Sequence, residues 1–178
     1  MRLKDKKVAF LVGPKFEDLE FWAVYMRLIE EGAKVTVASP EAGKTYTSKN
    51  GGLTATSEVG ASSLRAEEFD AVVVPGGYCP DKIRRDEGVK KLVREAYEKG
   101  RIVGMICHAG SVGLSAGIVH GKRATGSEGI KDDLLAAGAT WVDEPAFREG
   151  NIVWGRVVED IPFFNRELVS AIERGGSG

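Results

Sequence analysis

Two adjacent side chains in this sequence are capable of nucleophilic and acid–base chemistry. They are Cys107 and His108, in Arg101-Ile-Val-Gly-Met-Ile-Cys-His-Ala-Gly-Ser-Val-Gly-Leu-Ser-Ala-Gly117. The apolar run Ile102 to Ile106 reads as a buried parallel strand. The small residues after it, with Val112, Leu114 and Ile118 as apolar positions, predict a helix from at or just after His108. Cys107 then falls on the turn between strand and helix. At the carboxyl edge of a sheet, backbone N–H groups and the positive end of a helix favour a thiolate. Gly104, Ala109 and Gly110 suit a crowded nucleophile elbow, although Met105 stands where the hydrolase elbow carries a glycine. The same residues are compatible with a small cysteine packed in a core turn.

The elements that must position this turn can be followed along the chain. Val8–Val12 is a continuous apolar strand closed by Gly13-Pro14. Glu17 to Glu31 is predicted as a helix with an inward stripe of Leu19, Trp22, Ala23, Met26, Leu28 and Ile29, stopped by Gly32. Lys34–Ala38 is a second strand, and Thr45 to Thr56 reads as a hairpin turning near Asn50-Gly51-Gly52. Phe69–Pro75 is a buried strand ended by Gly76-Gly77, followed by a helix over Glu87–Glu98. Beyond the elbow come a short strand at Ala124-Thr125 and a helix from Ser127 to Ala137. A hairpin at Ala146–Trp154 and a helix over Ile161–Arg174 complete the chain. This alternation predicts one α/β domain over residues 1–174, on a mostly parallel sheet, with a flexible tail at 175–178. Ligands gather at the carboxyl ends of such strands. Three of those ends carry unusual residues: Lys15–Asp18, Gly76–Asp81 and Cys107-His108.

Composition narrows the function classes. The chain has 178 residues, 43% apolar and 29% charged, enough for one substantial core. A net charge of −1 gives no electrostatic basis for binding nucleic acid or an anionic membrane. Met1–Lys7 leads into an apolar run too short for a secretory signal, and no stretch approaches a transmembrane length. Two cysteines without clustered spacing point to a reducing setting, so the expected location is cytoplasmic. Neither histidine falls in a metal-ligand spacing, and Gly51-Gly52 and Gly76-Gly77 lack the Lys and Ser/Thr of a phosphate loop. No metal and no cofactor are expected.

Taken together, the motifs resemble the DJ-1/PfpI superfamily, and within it the PfpI-type intracellular cysteine peptidase branch. The resemblance runs from Val8 to about Ile172. It is carried by Phe16-Glu17-Asp18, Pro75-Gly76-Gly77, Ile106-Cys107-His108, Ser115-Ala116-Gly117 and Ile130–Leu134 before Gly138-Ala139. It implies a flavodoxin-like sandwich with helices on both faces and assembly into dimers or higher rings, often hexamers. It also implies roles: Cys107 as nucleophile, Glu17 as the acid hydrogen-bonded to its sulfur, and His108 as its base or imidazolium partner. Asp81, contributed by a neighbouring subunit, is implied to orient His108. Backbone N–H groups at Gly77 and His108 are the implied oxyanion donors, Gly76 permits the close turn, and Tyr78 lines the pocket. For Glu17 a first-turn glutamate favoured by the helix dipole remains open, for Asp81 a helix cap, and for His108 packing against a neighbouring subunit. Asp81 is one methylene shorter than the glutamate more usual there. Ala109-Gly110 and the Gly155–Pro162 run also depart from the family pattern, the latter beside the pocket. Cys79 is either a small packing residue or a partner for Cys107 under oxidation.

Three functions fit these residues. One is a cysteine-dependent enzyme on small reactive carbonyls, a glutathione-independent glyoxalase or deglycase. The second is a peptidase for small peptides. The third is a non-catalytic redox sensor or stress protein in which Cys107 is oxidised.

Overall fold

The computed structural model describes residues 1–176, so the tail expected at 175–178 lies partly outside the described residues. Among the described residues eleven strands form, most of them short: β1 (Lys7–Leu11), β2 (Lys34–Ser39), β3 (Thr45–Thr47), β4 (Thr54–Thr56), β5 (Val59–Gly60), β6 (Ala71–Val74), β7 (Ile102–Ile106), β8 (Arg123–Ala124), β9 (Thr140–Trp141), β10 (Ala146–Glu149) and β11 (Ile152–Gly155). The helices are α1 (Asp18–Glu30), α2 (Cys79–Ile83), α3 (Glu87–Glu98), α4 (Gly110–Ala116), α5 (Lys131–Ala136) and α6 (Ile161–Arg174).

Seven strands make one sheet in the order β10-β11-β7-β6-β1-β2-β5, parallel throughout except for the antiparallel β10 edge. Helix α1 packs with α6 on one face, and α3 packs with α4 on the other. This is the expected doubly wound sandwich. Strands buried on both faces must be apolar throughout, and β6 (AVVV) and β7 (IVGMI) are fully buried. The order places β7, β6 and β1 side by side, so the chain leaving each of them converges at one edge of the sheet.

Helix α1 corrects one expectation. Its buried residues are Glu20, Phe21, Val24 and Leu28, with Asp18 at its start, whereas Leu19, Met26 and Ile29 are exposed. The helix carries two apolar stripes. The one that contains Phe21 faces the sheet, because its ring packs at 4.7 Å from Phe10 of β1 and at 5.3 Å from Phe16. That rotation also carries Glu20 inward.

Candidate active site

Cys107 stands where the elbow was expected, between β7 and a 3-10 turn, Cys107–Ala109, that leads into α4. Its φ of 61° is left-handed, a costly conformation for a residue with a side chain. The reversal pushes the side chain out of the sheet and turns the next residue back toward it. His108 Nδ1 lies 3.3 Å from Cys107 Sγ. The loop after β8 holds the elbow from the other side, where the Ser127 N–H donates to the Cys107 carbonyl at 3.0 Å.

The carboxyl at the sulfur belongs to Glu20. It accepts from the Gly76 N–H at 2.9 Å and is within hydrogen-bonding reach of Cys107. The hydrogen bond expected from Glu17 does not form, because that carboxylate caps α1, accepting at 2.8 Å from the N–H groups of both Leu19 and Glu20. Glu17 still lines the pocket. Gly76 is required by crowding, since any side chain there would strike the Glu20 carboxyl and the Cys107 Cβ. Gly77, at φ 79°, presses against the backbone of Lys15 to Glu17, bridging the ends of β6 and β1.

The protonation states follow from burial and neighbours. Burial, and then the charge of Glu17, push the Glu20 carboxyl up to about 8. Burial, and then Glu20, push the Cys107 thiol up to about 12, although the N–H groups of His108 and Gly77 pull it down. His108 is lowered by burial and by the positive charge of Lys49. At neutral pH Glu20 is therefore a carboxylic acid and His108 a neutral imidazole, and burial favours the thiol form of Cys107. Burial works against the thiolate expected of the elbow, and the N–H groups of His108 and Gly77 work for it. These two N–H groups, expected to face a substrate oxygen, are directed at Sγ.

These groups open into a pocket of about 420 Å³ lined also by Lys49, Tyr78, Ser127, Val157 and Val158. Tyr78 is 57% exposed at its mouth, with Lys49 Nζ 5.5 Å from the ring centre. Asp81 lies elsewhere in the chain, exposed on α2, and accepts from Arg85 at 2.9 Å. It is neither a helix cap nor a partner of His108 within one chain. The Nε2 edge of His108 faces Gly129 and makes no hydrogen bond among the described residues. Cys79 is buried in the core against Gly13 and Ile83, with its thiol raised by burial, and both cysteines are free.

The residues missed from sequence are Glu20, Lys49, Ser127 and the pair Val157 and Val158. Glu20 was detectable as the acid on the stripe of Val24 and Leu28, had that stripe been taken as the buried one. Val157 and Val158 fall in the Gly155–Pro162 run already noted as a departure, which Arg156 anchors through Asp160 at 2.8 Å and Asp143 at 3.0 Å. Among the described residues no group of three or more His, Cys, Asp or Glu could hold a metal, and no helix is long and apolar enough to cross a membrane.

Comparisons with known proteins agree with this architecture. A deglycase of Pyrococcus horikoshii is 39% identical over 167 residues, covering 94% of this chain and 99% of the relative. A Bacillus subtilis protein, named as a candidate cysteine protease, is 34% identical over 94% of this chain and 99% of its own. Among solved structures, a two-domain Anabaena variabilis protein with DJ-1/ThiJ/PfpI-like and ferritin-like domains superposes with a TM-score of 0.91 at 36% identity. The match covers 93% of this chain and 48% of that one, so the present chain spans about half of it. Drosophila melanogaster DJ-1beta shares the fold with a TM-score of 0.87 at 23% identity, over 98% of this chain and 92% of that one. The family profile itself matches residues 6–171, from the first strand into the last helix, and so the chain belongs to the DJ-1/PfpI family.

Proposed function

We propose that the protein is a cysteine-dependent enzyme that converts small α-oxo aldehydes to 2-hydroxy acids without glutathione. The observation that carries this reading is the convergence of His108 Nδ1, the Glu20 carboxyl and two backbone N–H groups on the Cys107 sulfur, inside a pocket of small-molecule size. The names of the deglycase relatives point the same way.

Taking methylglyoxal as substrate, Cys107 Sγ attacks the aldehyde carbon while neutral His108 accepts the thiol proton. As the S–C bond forms, negative charge moves from sulfur to the aldehyde oxygen one atom away, near the N–H groups of Gly77 and His108. His108 returns the proton to that oxygen, which completes a hemithioacetal. The regenerated imidazole then takes the C1 proton and delivers it to C2, while the C1 hydroxyl proton passes to the C2 oxygen, giving a Cys107 thioester of lactate. Glu20, still protonated, donates to the sulfur. Water cleaves the thioester, so that one methylglyoxal and one water give one lactate and the free thiol.

In this reading Asp81 acts across an interface between two copies, holding the Nε2 edge of His108 that lacks a partner among the described residues. Peptide hydrolysis is favoured by one relative's name. It requires room for chain on both sides of the scissile bond, and a pocket of about 420 Å³ accommodates a small molecule more readily. The test is lactate formation from methylglyoxal in glutathione-free buffer, with Cys107→Ala alongside. Lactate from the wild type alone supports the reading. Equal loss of methylglyoxal from both proteins, with no lactate, would show adduct formation on Lys and Arg and defeat it.

A further inference from the structure

The pocket contains a charged group that the reaction above does not use, Lys49. Among the described residues Lys49 is the only lysine or arginine in the lining, and it comes from the β3–β4 hairpin rather than from the seven-stranded sheet. Its backbone is fixed to the start of α1 from both sides. The buried carboxylate of Asp18 accepts from Ser48 Oγ at 2.6 Å, and from the N–H and Nδ2 of Asn50 at 3.1 Å each. The Lys49 N–H donates to the Phe16 carbonyl at 2.8 Å. Burial opposes the charge of Asp18, but the donors from Ser48 and Asn50 outweigh it and hold the carboxyl below its ordinary range. A buried, fully bonded carboxylate thus anchors the residues on either side of an exposed lysine.

The ammonium at the end of this support has no carboxylate within 4.0 Å among the described residues. It stands over the Tyr78 ring at the mouth. Of the two acids in the lining, Glu17 is satisfied by the N–H groups of Leu19 and Glu20, and Glu20 accepts from the Gly76 N–H beside Cys107. The pocket that holds the nucleophile therefore also presents a positive charge with no carboxylate partner among the described residues, beside the face of Tyr78 and in a lining that includes apolar Val157 and Val158.

We propose that Lys49 forms a carboxylate-binding subsite, so that the preferred substrates are α-oxo aldehydes bearing a carboxylate at the end remote from the aldehyde. The inference rests on the carbonyl-enzyme reading above. Cys107 takes the aldehyde carbon, the chain runs past Val157 and Val158, and the far carboxylate meets Lys49 as a charge-assisted hydrogen bond. The overall reaction remains addition of one water per substrate to give the 2-hydroxy acid.

A matched pair of probes tests this: 4,5-dioxopentanoate, and 2-oxopentanal, in which a methyl replaces the carboxylate. Wild type is expected to favour the anion in kcat/KM by about tenfold or more, the range of a charge-assisted bond. In Lys49→Met the ratio should collapse to about one, and in Lys49→Arg it should largely survive. The Lys49 side chain is exposed and donates no hydrogen bond among the described residues, so the fold does not depend on it. A wild-type ratio near one, or a preference undiminished in Lys49→Met, would overturn the subsite while leaving the carbonyl reading intact. If the wild type turns over neither probe nor methylglyoxal, both fail together.

Discussion

Because Glu20 keeps its proton up to about pH 8, the site acquires a negative charge beside Cys107 only in alkaline solution. That charge opposes formation of the thiolate during attack. On the acid side, protonation of His108 below its ordinary 6.5 removes the base. The rate should therefore rise through the titration of His108 and fall again near pH 8. Glu20→Gln keeps an amide donor and removes the ionisation, so its alkaline limb should disappear when kcat/KM is followed with pH. Stability carries the same signature. A carboxyl raised on folding favours the native state below about pH 4.5, and that contribution is lost as pH rises through about 8. Thermal unfolding of the wild type should weaken across this window, and Glu20→Gln should flatten the loss. Glu17→Ala, by contrast, should cost about 1 kcal/mol as a lost helix cap and reduce the rate less than Glu20→Ala. At this scale the sequence disclosed the nucleophile and its neighbour, since Cys107-His108 after an apolar strand is a local pattern. It did not disclose which of Glu17 and Glu20 meets the sulfur. That depends on the rotation of a helix, which is settled by packing.

The rotation of α1 is a property of the element, and its energetics are easily separated. Leu28 is fully buried against the sheet, whereas Ile29 is 44% exposed. Leu28→Ala should cost about 2–5 kcal/mol in denaturant unfolding, and Ile29→Ala about 0.5 kcal/mol or less. Equal effects would mean that the helix sits on the other stripe, with Glu20 turned away from Cys107. The strands were legible because β1, β6 and β7 are unbroken apolar runs closed by Gly or Pro, or by the elbow itself. The segment α2 was not, because Tyr78-Cys79-Pro80-Asp81 carries turn-forming residues and its helix spans only Cys79–Ile83. The segment expected as one helix from Ser127 divides into a 3-10 turn, Glu128–Ile130, and α5. There Ser127 accepts from Gly129 instead of from a residue one turn further on.

At the scale of the whole molecule, the seven-stranded order explains why three distant stretches of sequence form one site: β1, β6 and β7 are neighbours whose carboxyl ends meet. The order was foreseen only as a mostly parallel sheet, because pairing between strands far apart in sequence leaves no local signal. The same scale holds the proposed role of Asp81. Among the described residues its only ion pairs are the exposed ones with Arg85 and Lys82, which contribute little to stability. Asp81→Asn should leave thermal stability nearly unchanged yet lower kcat/KM about tenfold or more, and activity per chain should fall on dilution below the assembly threshold. Activity independent of both would confine the site to one copy.

The central claim is that Cys107 forms the bond to substrate. The most direct measurement is peptide-mapping mass spectrometry of enzyme quenched during methylglyoxal turnover. The account predicts one methylglyoxal-derived adduct on the peptide containing Cys107, decaying as lactate appears and absent from Cys107→Ala. Lactate released at the full rate while Cys107 stays unmodified would contradict it.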